Sequence, residues 1–361
     1  MTKRVYNFYA GPATLPLPVL EKAKEEFLDF AGTGMSVLEI SHRSKEWMQV
    51  MSEASNLARE MMGIPNDYKI LWLGGGASTQ FFMAPLNLQV KGKPMEYVNT
   101  GGWSTKAIKE AKYFGEVKVL ASSEEDNFSY IPKNVKFNEG SAFAHFTSNN
   151  TLYGTEWSYT PEVPNDVPLV CDMSSNLMDK KINVKDYGVI YAGAQKNLGP
   201  AGVTIVIVRE DLLDRVPDNV PTMQKWKTHA EKDSMFNTPP VFPIYICKLS
   251  LEYLKEIGGV EKMEKMNLGK AKVLYDVIDA SDGFYQGHAK PDSRSLMNVT
   301  FTLESPELEQ KCVEGGIARD LIGLKGHRSV GGMRASLYNA MPLEGVEKLA
   351  EYLKEFQEEN Q

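Results

Sequence analysis

Cysteine is scarce in this 361-residue chain, with three occurrences at 171, 247 and 312. An odd set with no CxxC spacing excludes a disulfide framework and a structural zinc site, and it fits a reducing, cytoplasmic setting. Histidine is scarcer than a metal centre would want. Of five, His145, His229 and His288 lack a partner four residues away, and neither H-E-x-x-H nor G-x-S-x-G occurs, so no metal site and no hydrolase elbow are expected. Nowhere do the roughly 20 apolar residues of a membrane span follow one another. The first twenty residues lack the apolar core, about 7–15 residues long, of a secretory signal. No basic block exists either: 47 Asp and Glu outnumber 40 Lys and Arg, and the net charge of -7 argues against a nucleic-acid surface. A small anionic substrate must then be met by locally placed cations.

The 42% hydrophobic content supports a large core. From residue 69 short apolar runs alternate with helical spacing. Strands are expected at 69–73, 95–99, 117–121, 142–146, 169–171, 189–191 and 203–208, with helices at 79–88 and 104–114. A further helix at 45–62 carries Trp47, Met51, Ala54, Ala58 and Met61 on one face. This rhythm predicts an α/β fold with a mostly parallel sheet. Helices at 243–257 and 260–280 follow. Then strand 296–303, helix 306–322, strand 333–338 and helix 343–356 predict a smaller α+β unit. The last helix sets Val346, Leu349, Ala350, Leu353 and Phe356 on one face, after Pro342. The expected division is a large domain over 15–257 and a small one over 258–361, with residues 1–14 packing near the active site.

Lys196 stands where the apolar run Val189-Ile190-Tyr191-Ala192-Gly193-Ala194-Gln195 gives way to Asn197-Leu198-Gly199-Pro200. An amine between two buried strands deprotonates more readily and suits Schiff-base chemistry, although a loop-capping lysine reads the same way. Gly74-Gly75-Gly76-Ala77-Ser78-Thr79-Gln80 follows a strand and opens a helix, which is either a phosphate cradle or a tight turn. Gly101-Gly102-Trp103-Ser104 repeats that arrangement with an aromatic ring at the helix mouth, placed for stacking on a ligand or for filling core. Asp172 closes the run Leu169-Val170-Cys171, at the ligand-facing edge of a parallel sheet, where it also suits a capped turn. Two His-Arg pairs, His42-Arg43 and His327-Arg328, suggest a split anion site or a solvated surface. Arg334, within an apolar run, needs an anion or a structural partner.

A phosphate cradle, a stacking ring, a carboxylate and a lysine are together what pyridoxal 5'-phosphate (PLP) requires. At this point the chain resembles the phosphoserine aminotransferases, fold-type I PLP enzymes, through nearly its whole length. The matching segments include Asn7-Phe8-Tyr9-Ala10-Gly11-Pro12-Ala13, Ser41-His42-Arg43-Ser44, Gly75-Gly76-Ala77-Ser78-Thr79-Gln80-Phe81 and Gly101-Gly102-Trp103-Ser104. Others are Asn149-Asn150-Thr151, Cys171-Asp172-Met173-Ser174-Ser175, Tyr191-Ala192-Gly193-Ala194-Gln195-Lys196-Asn197 and Gly331-Gly332-Met333-Arg334-Ala335-Ser336.

The resemblance implies a PLP-transferase large domain and a homodimer. It implies that Lys196 holds the cofactor as an imine, Asp172 pairs with the pyridine nitrogen, Trp103 stacks on the ring and Thr151 meets the ring hydroxyl region. Ala77, Ser78 and Gln195 would hold the cofactor phosphate, with Asn237 and Thr238 reaching over from the other subunit. Some members carry arginine where this chain has Ser78, so hydroxyl and backbone donors must serve there. Arg334 would take the substrate α-carboxylate, and His42, Arg43, His327 and Arg328 the substrate phosphate or the distal carboxylate of glutamate. The implied reaction is ping-pong: L-glutamate leaves as 2-oxoglutarate, and 3-phosphooxypyruvate becomes O-phospho-L-serine in serine synthesis. Related enzymes also use 3-hydroxy-2-oxo-4-phosphonooxybutanoate in making vitamin B6. The rival readings are an alanine–glyoxylate-type transaminase or a cysteine desulfurase on the same cofactor core, and a non-catalytic phosphate-binding module.

Overall fold

The computed structural model describes residues 4–361, so the first three residues of the expected 1–14 segment lie outside the description. Seven strands form the main sheet: β1 (Tyr68–Leu73), β2 (Met95–Asn99), β3 (Val117–Ser122), β4 (Phe143–Thr147), β5 (Leu169–Asp172), β6 (Val189–Gly193) and β7 (Thr204–Arg209). Their spatial order is β1-β7-β6-β5-β4-β2-β3. All neighbours run parallel except β7, which is antiparallel to β6 and to β1. The exception follows from the short 194–203 connection, since a parallel return needs a crossover of roughly a dozen residues or more. Lys196 lies in that connection. Every residue of β4, β5 and β6 is buried, which is why these strands read as unbroken apolar runs instead of alternating.

Helices cover both faces. On one, α1 (Leu17–Glu25), α2 (Lys45–Met62) and α5 (Val241–Glu256) pack with Ile190, Ile205 and Ile207 in a common core. Ser44 caps α2, its hydroxyl accepting from the Trp47 N–H at 3.2 Å, and Gly63 ends it in a left-handed conformation. Met61, expected among the inward residues of α2, is half-buried, whereas Val50 and Met62 are fully inside. On the other face α3 (Gly76–Leu88) and α4 (Gly102–Ala111) pack over Leu71, Phe143 and Tyr191. Because α3 follows β1 and α4 follows β2 directly, both N-termini open on the edge where Asp172 ends β5.

A second sheet, β8 (Gln286–Gly287), β9 (Asn298–Thr302) and β10 (Met333–Ser336), is antiparallel and packs with α7 (Pro306–Ala318) and α8 (Leu343–Asn360) around a separate core. The five apolar residues expected inward on α8 are all buried. The connecting helix α6 (Gly259–Asp279) belongs to both regions, with Val260 and Met263 in the first core and Leu274, Val277 and Ile278 in the second. The helix expected to run to 322 ends at Ala318. Asp320 turns left-handed (φ 63°), and Leu321–Ile322 pairs in parallel with Tyr6–Asn7. Helix α1 was not expected from the sequence, because only Val19 and Ala23 of its nine residues are buried and its apolar pattern is thin. Among the described residues no helix is long and apolar enough to cross a membrane.

Candidate active site

At the start of α3, Gly75 (φ 91°) and Gly76 (φ 67°) turn the chain from β1, and no side chain caps the helix. Its first-turn N–H groups at Ala77 and Ser78 are left for an anion, with the positive end of the helix dipole behind them. At α4, Ser104 fixes the turn by accepting from the N–H groups of Thr100 and Gly101 at 3.0 Å each and donating to Asn99 Oδ1 at 2.8 Å. Trp103 is thereby set at the helix mouth.

Asp172 is buried, and its Oδ1 accepts from the Ser174 N–H at 2.9 Å and the Ser174 hydroxyl at 2.6 Å. The same hydroxyl accepts from the Gly193 N–H at 3.1 Å, which ties the carboxylate to β6. Burial raises the Asp172 pKa, opposed by the Lys196 ammonium and the Ser174 hydrogen bonds. Lys196 Nζ donates to Thr151 Oγ1 at 2.7 Å and lies 5.1 Å from the centre of the Trp103 ring. Burial lowers its pKa to about 8; Asp172 works against the shift and Arg334 adds to it. Arg334 is itself buried, donating from Nη1 to Thr151 O at 3.3 Å while Nε has no partner.

These side chains converge on a cavity of about 460 Å³. Of the residues picked out in the sequence, Ala77, Ser78, Trp103, Thr151 and Asp172 line it, together with Gln195, Lys196, His327 and Arg334. His42, Arg43, Arg328, Asn237 and Thr238 do not. Arg43, Arg328, Asn237 and Thr238 are exposed and His42 is half-buried, all in connecting segments. Sequence reasoning gave no role to Ser174, although it stood two residues from Asp172, the spacing at which a side chain and a following backbone N–H meet. It also passed over Lys106, whose Nζ sits 4.3 Å from the Trp103 ring centre, whereas Ala10 and Gly11, which line the cavity, belong to the 1–14 segment expected near the site. The i, i+3 spacing of Trp103 and Lys106 on a helix was the available signal.

The residues present fit PLP. Trp103 Nε1 is buried without a partner. The cavity wall is also kept clear by glycines: a Cβ on Gly193 would stand 2.9 Å from Gln195 Oε1 and 3.5 Å from Ala77 N, and one on Gly11 would stand 3.3 Å from Lys196 Cγ. An uncapped helix end, a hydroxyl, a flat ring, a buried carboxylate and a primary amine are the donors and acceptors that a phosphorylated pyridine aldehyde would engage.

The class-V aminotransferase family model matches residues 5–349. The chain is 54% identical over 360 residues to the phosphoserine aminotransferase of Bacillus subtilis (strain 168), covering 99% of this chain and 100% of the relative. It is 55% identical over 362 residues to that of Syntrophobacter fumaroxidans, both chains being fully covered. Among solved structures, phosphoserine aminotransferase from Bacillus circulans subsp. alkalophilus has a TM-score of 0.97 at 46% identity, with both chains fully covered. A PLP-bound phosphoserine aminotransferase from Trichomonas vaginalis has a TM-score of 0.92 at 38% identity, over 97% of this chain and 100% of that one. Agreement over the whole length, in sequence and in fold, makes this chain a member of the phosphoserine aminotransferase family, the PLP-dependent class-V enzymes of the transamination step in serine biosynthesis.

Proposed function

We propose that the chain moves the amino group of L-glutamate to 3-phosphooxypyruvate in two half-reactions, releasing 2-oxoglutarate and then O-phospho-L-serine. The observation that carries this reading is the convergence of Lys196, Asp172 and the incompletely paired Arg334 on one cavity. PLP, when bound, supplies a protonated pyridine ring that withdraws electrons from the substrate Cα. Asp172, steadied through Oδ1 by Ser174, keeps the ring nitrogen protonated. Lys196 would hold the cofactor through its amine, and the same amine would carry the proton to and from the substrate Cα. Thr151 orients the Lys196 amine and, with Trp103, would help hold the cofactor ring. Ala77, Ser78 and Gln195 would hold the cofactor phosphate. Arg334 takes the α-carboxylate; His327 and Arg328, with His42 and Arg43, take the distal phosphate or carboxylate.

Asn237 and Thr238 complete the phosphate cradle from the second subunit of a homodimer. Their exposure in the single chain supports this, as does the exposed apolar surface at Leu28, Met48 and Phe236. The protein works in the cytoplasm. Its chain divides near 257 into a cofactor domain and a smaller C-terminal domain, with the separate second core as support. Burial of Cys171, Cys247 and Cys312, with every thiol pushed up in pKa, speaks against a desulfurase, which needs an accessible thiolate.

The test is a half-reaction. Holoenzyme mixed with O-phospho-L-serine alone should lose its visible absorbance and release 3-phosphooxypyruvate, and L-glutamate should do the same with 2-oxoglutarate. Conversion by glutamate but not by phosphoserine would overturn the substrate assignment. Arg43→Ala and Arg328→Ala should each lower kcat/KM for both substrates by about 30-fold or more, as expected for loss of a charge-assisted anion contact.

A further inference from the structure

Lys106 belongs to α4, one turn beyond Trp103, and its ammonium lies 4.3 Å from the centre of the indole ring. The Lys196 ammonium lies 5.1 Å from the same ring. Trp103 therefore connects the cavity, which it lines, with an exposed cation at the edge of the site. Among the described residues, neither Lys106 nor Arg328 nor Arg334 forms an ion pair with a carboxylate. Other surface lysines do have such a partner, as Lys181 has in Glu261 and Lys227 in Asp214. The His327 pKa is lowered by burial first, then by the charges of Arg334, Arg328 and Lys106, so each of these cations is close enough to disfavour a charge on the His327 ring. Like charges gathered without a counterion make a positive potential that a substrate anion relieves.

We propose that Lys106 is a specificity-determining residue, its ammonium joining His327 and Arg328 in recognising the distal anion of the substrate where it passes the outer edge of Trp103. The proposal rests on the substrate reading above. A phosphate carries nearly two negative charges at neutral pH and a side-chain carboxylate one, so Lys106 favours the phosphorylated substrate over the dicarboxylate. Its flexible stem and point charge suit a ligand that must be admitted and released, whereas the buried Arg334 is fixed.

The experiment compares Lys106→Gln and Lys106→Arg holoenzymes with the wild type in single half-reactions. Lys106→Gln keeps the stem over Trp103 and removes the charge. It should raise the half-saturation concentration for O-phospho-L-serine by about fivefold to tenfold and that for L-glutamate by less, the loss falling on KM and not on kcat. Lys106→Arg should restore most of the difference. In the NMR spectrum of the Lys106→Gln protein, His327 should titrate at higher pH than in the wild type. Equal losses for both substrates, a loss confined to kcat, or an unmoved His327 titration would overturn the proposal. If the wild type failed to use phosphoserine at all, the substrate reading would fall; the glutamate half-saturation and the His327 titration would still decide whether Lys106 acts on the anion site.

Discussion

At Lys196 burial takes more from the ammonium than the Asp172 carboxylate returns, and the amine titrates near 8 instead of 10.5. The sign is that of a base with a depressed value: below about pH 8 the amine is protonated and inert as a nucleophile, and above it the amine is free. The rate at which apoprotein captures PLP, followed by growth of the imine absorbance, should therefore rise about tenfold per pH unit below 8 and level off above it. An ordinary lysine would climb on toward 10.5. Asp172→Asn separates charge from geometry, since an amide oxygen can still accept from Ser174 while the negative charge is lost. It should bind PLP yet lose roughly 100-fold or more in kcat. A variant with near wild-type turnover would remove Asp172 from its proposed role. Both residues were legible in the sequence because each ends an apolar run. Ser174 and Lys106 left only their spacings from Asp172 and Trp103 as a signal, because their importance is a matter of which atoms they reach.

At the scale of elements the buried strands announced themselves, since β4, β5 and β6 have no polar face to interrupt the pattern. The glycine turn into α3 was legible as a turn, and the structure adds why glycine stands there. Gly75 holds φ 91°, and a Cβ would meet Thr79 Oγ1 at 2.0 Å. Gly75→Ala should cost about 1–3 kcal/mol and lower the melting temperature by several degrees, with weaker PLP retention. Unchanged melting and retention would show that the turn is not strained. Less legible were α1, with two buried residues, and the end of α7, where a single left-handed Asp320 stops a helix whose apolar pattern continues to Leu321 and Ile322.

For the whole molecule, the exposed positions of Arg43, Asn237 and Thr238 make the proposed site incomplete in one chain. The protein should sediment at about twice the 40.4 kDa chain mass. Mixed dimers of Lys196→Ala with Asn237→Ala subunits should regain activity, because one of the two sites then receives both intact contributions. A monomeric, fully active enzyme would refute the shared site.

The sequence by itself determined the α/β alternation and the amine and carboxylate at the ends of buried runs, because periodicity and residue chemistry are local properties. The antiparallel pairing of β7 with β1 came from tertiary structure, as did the approach of Thr151 to Lys196 and the gathering of Lys106, His327 and Arg334. Each of these depends on contacts between segments tens to hundreds of residues apart, which only packing brings within hydrogen-bond or Coulomb range.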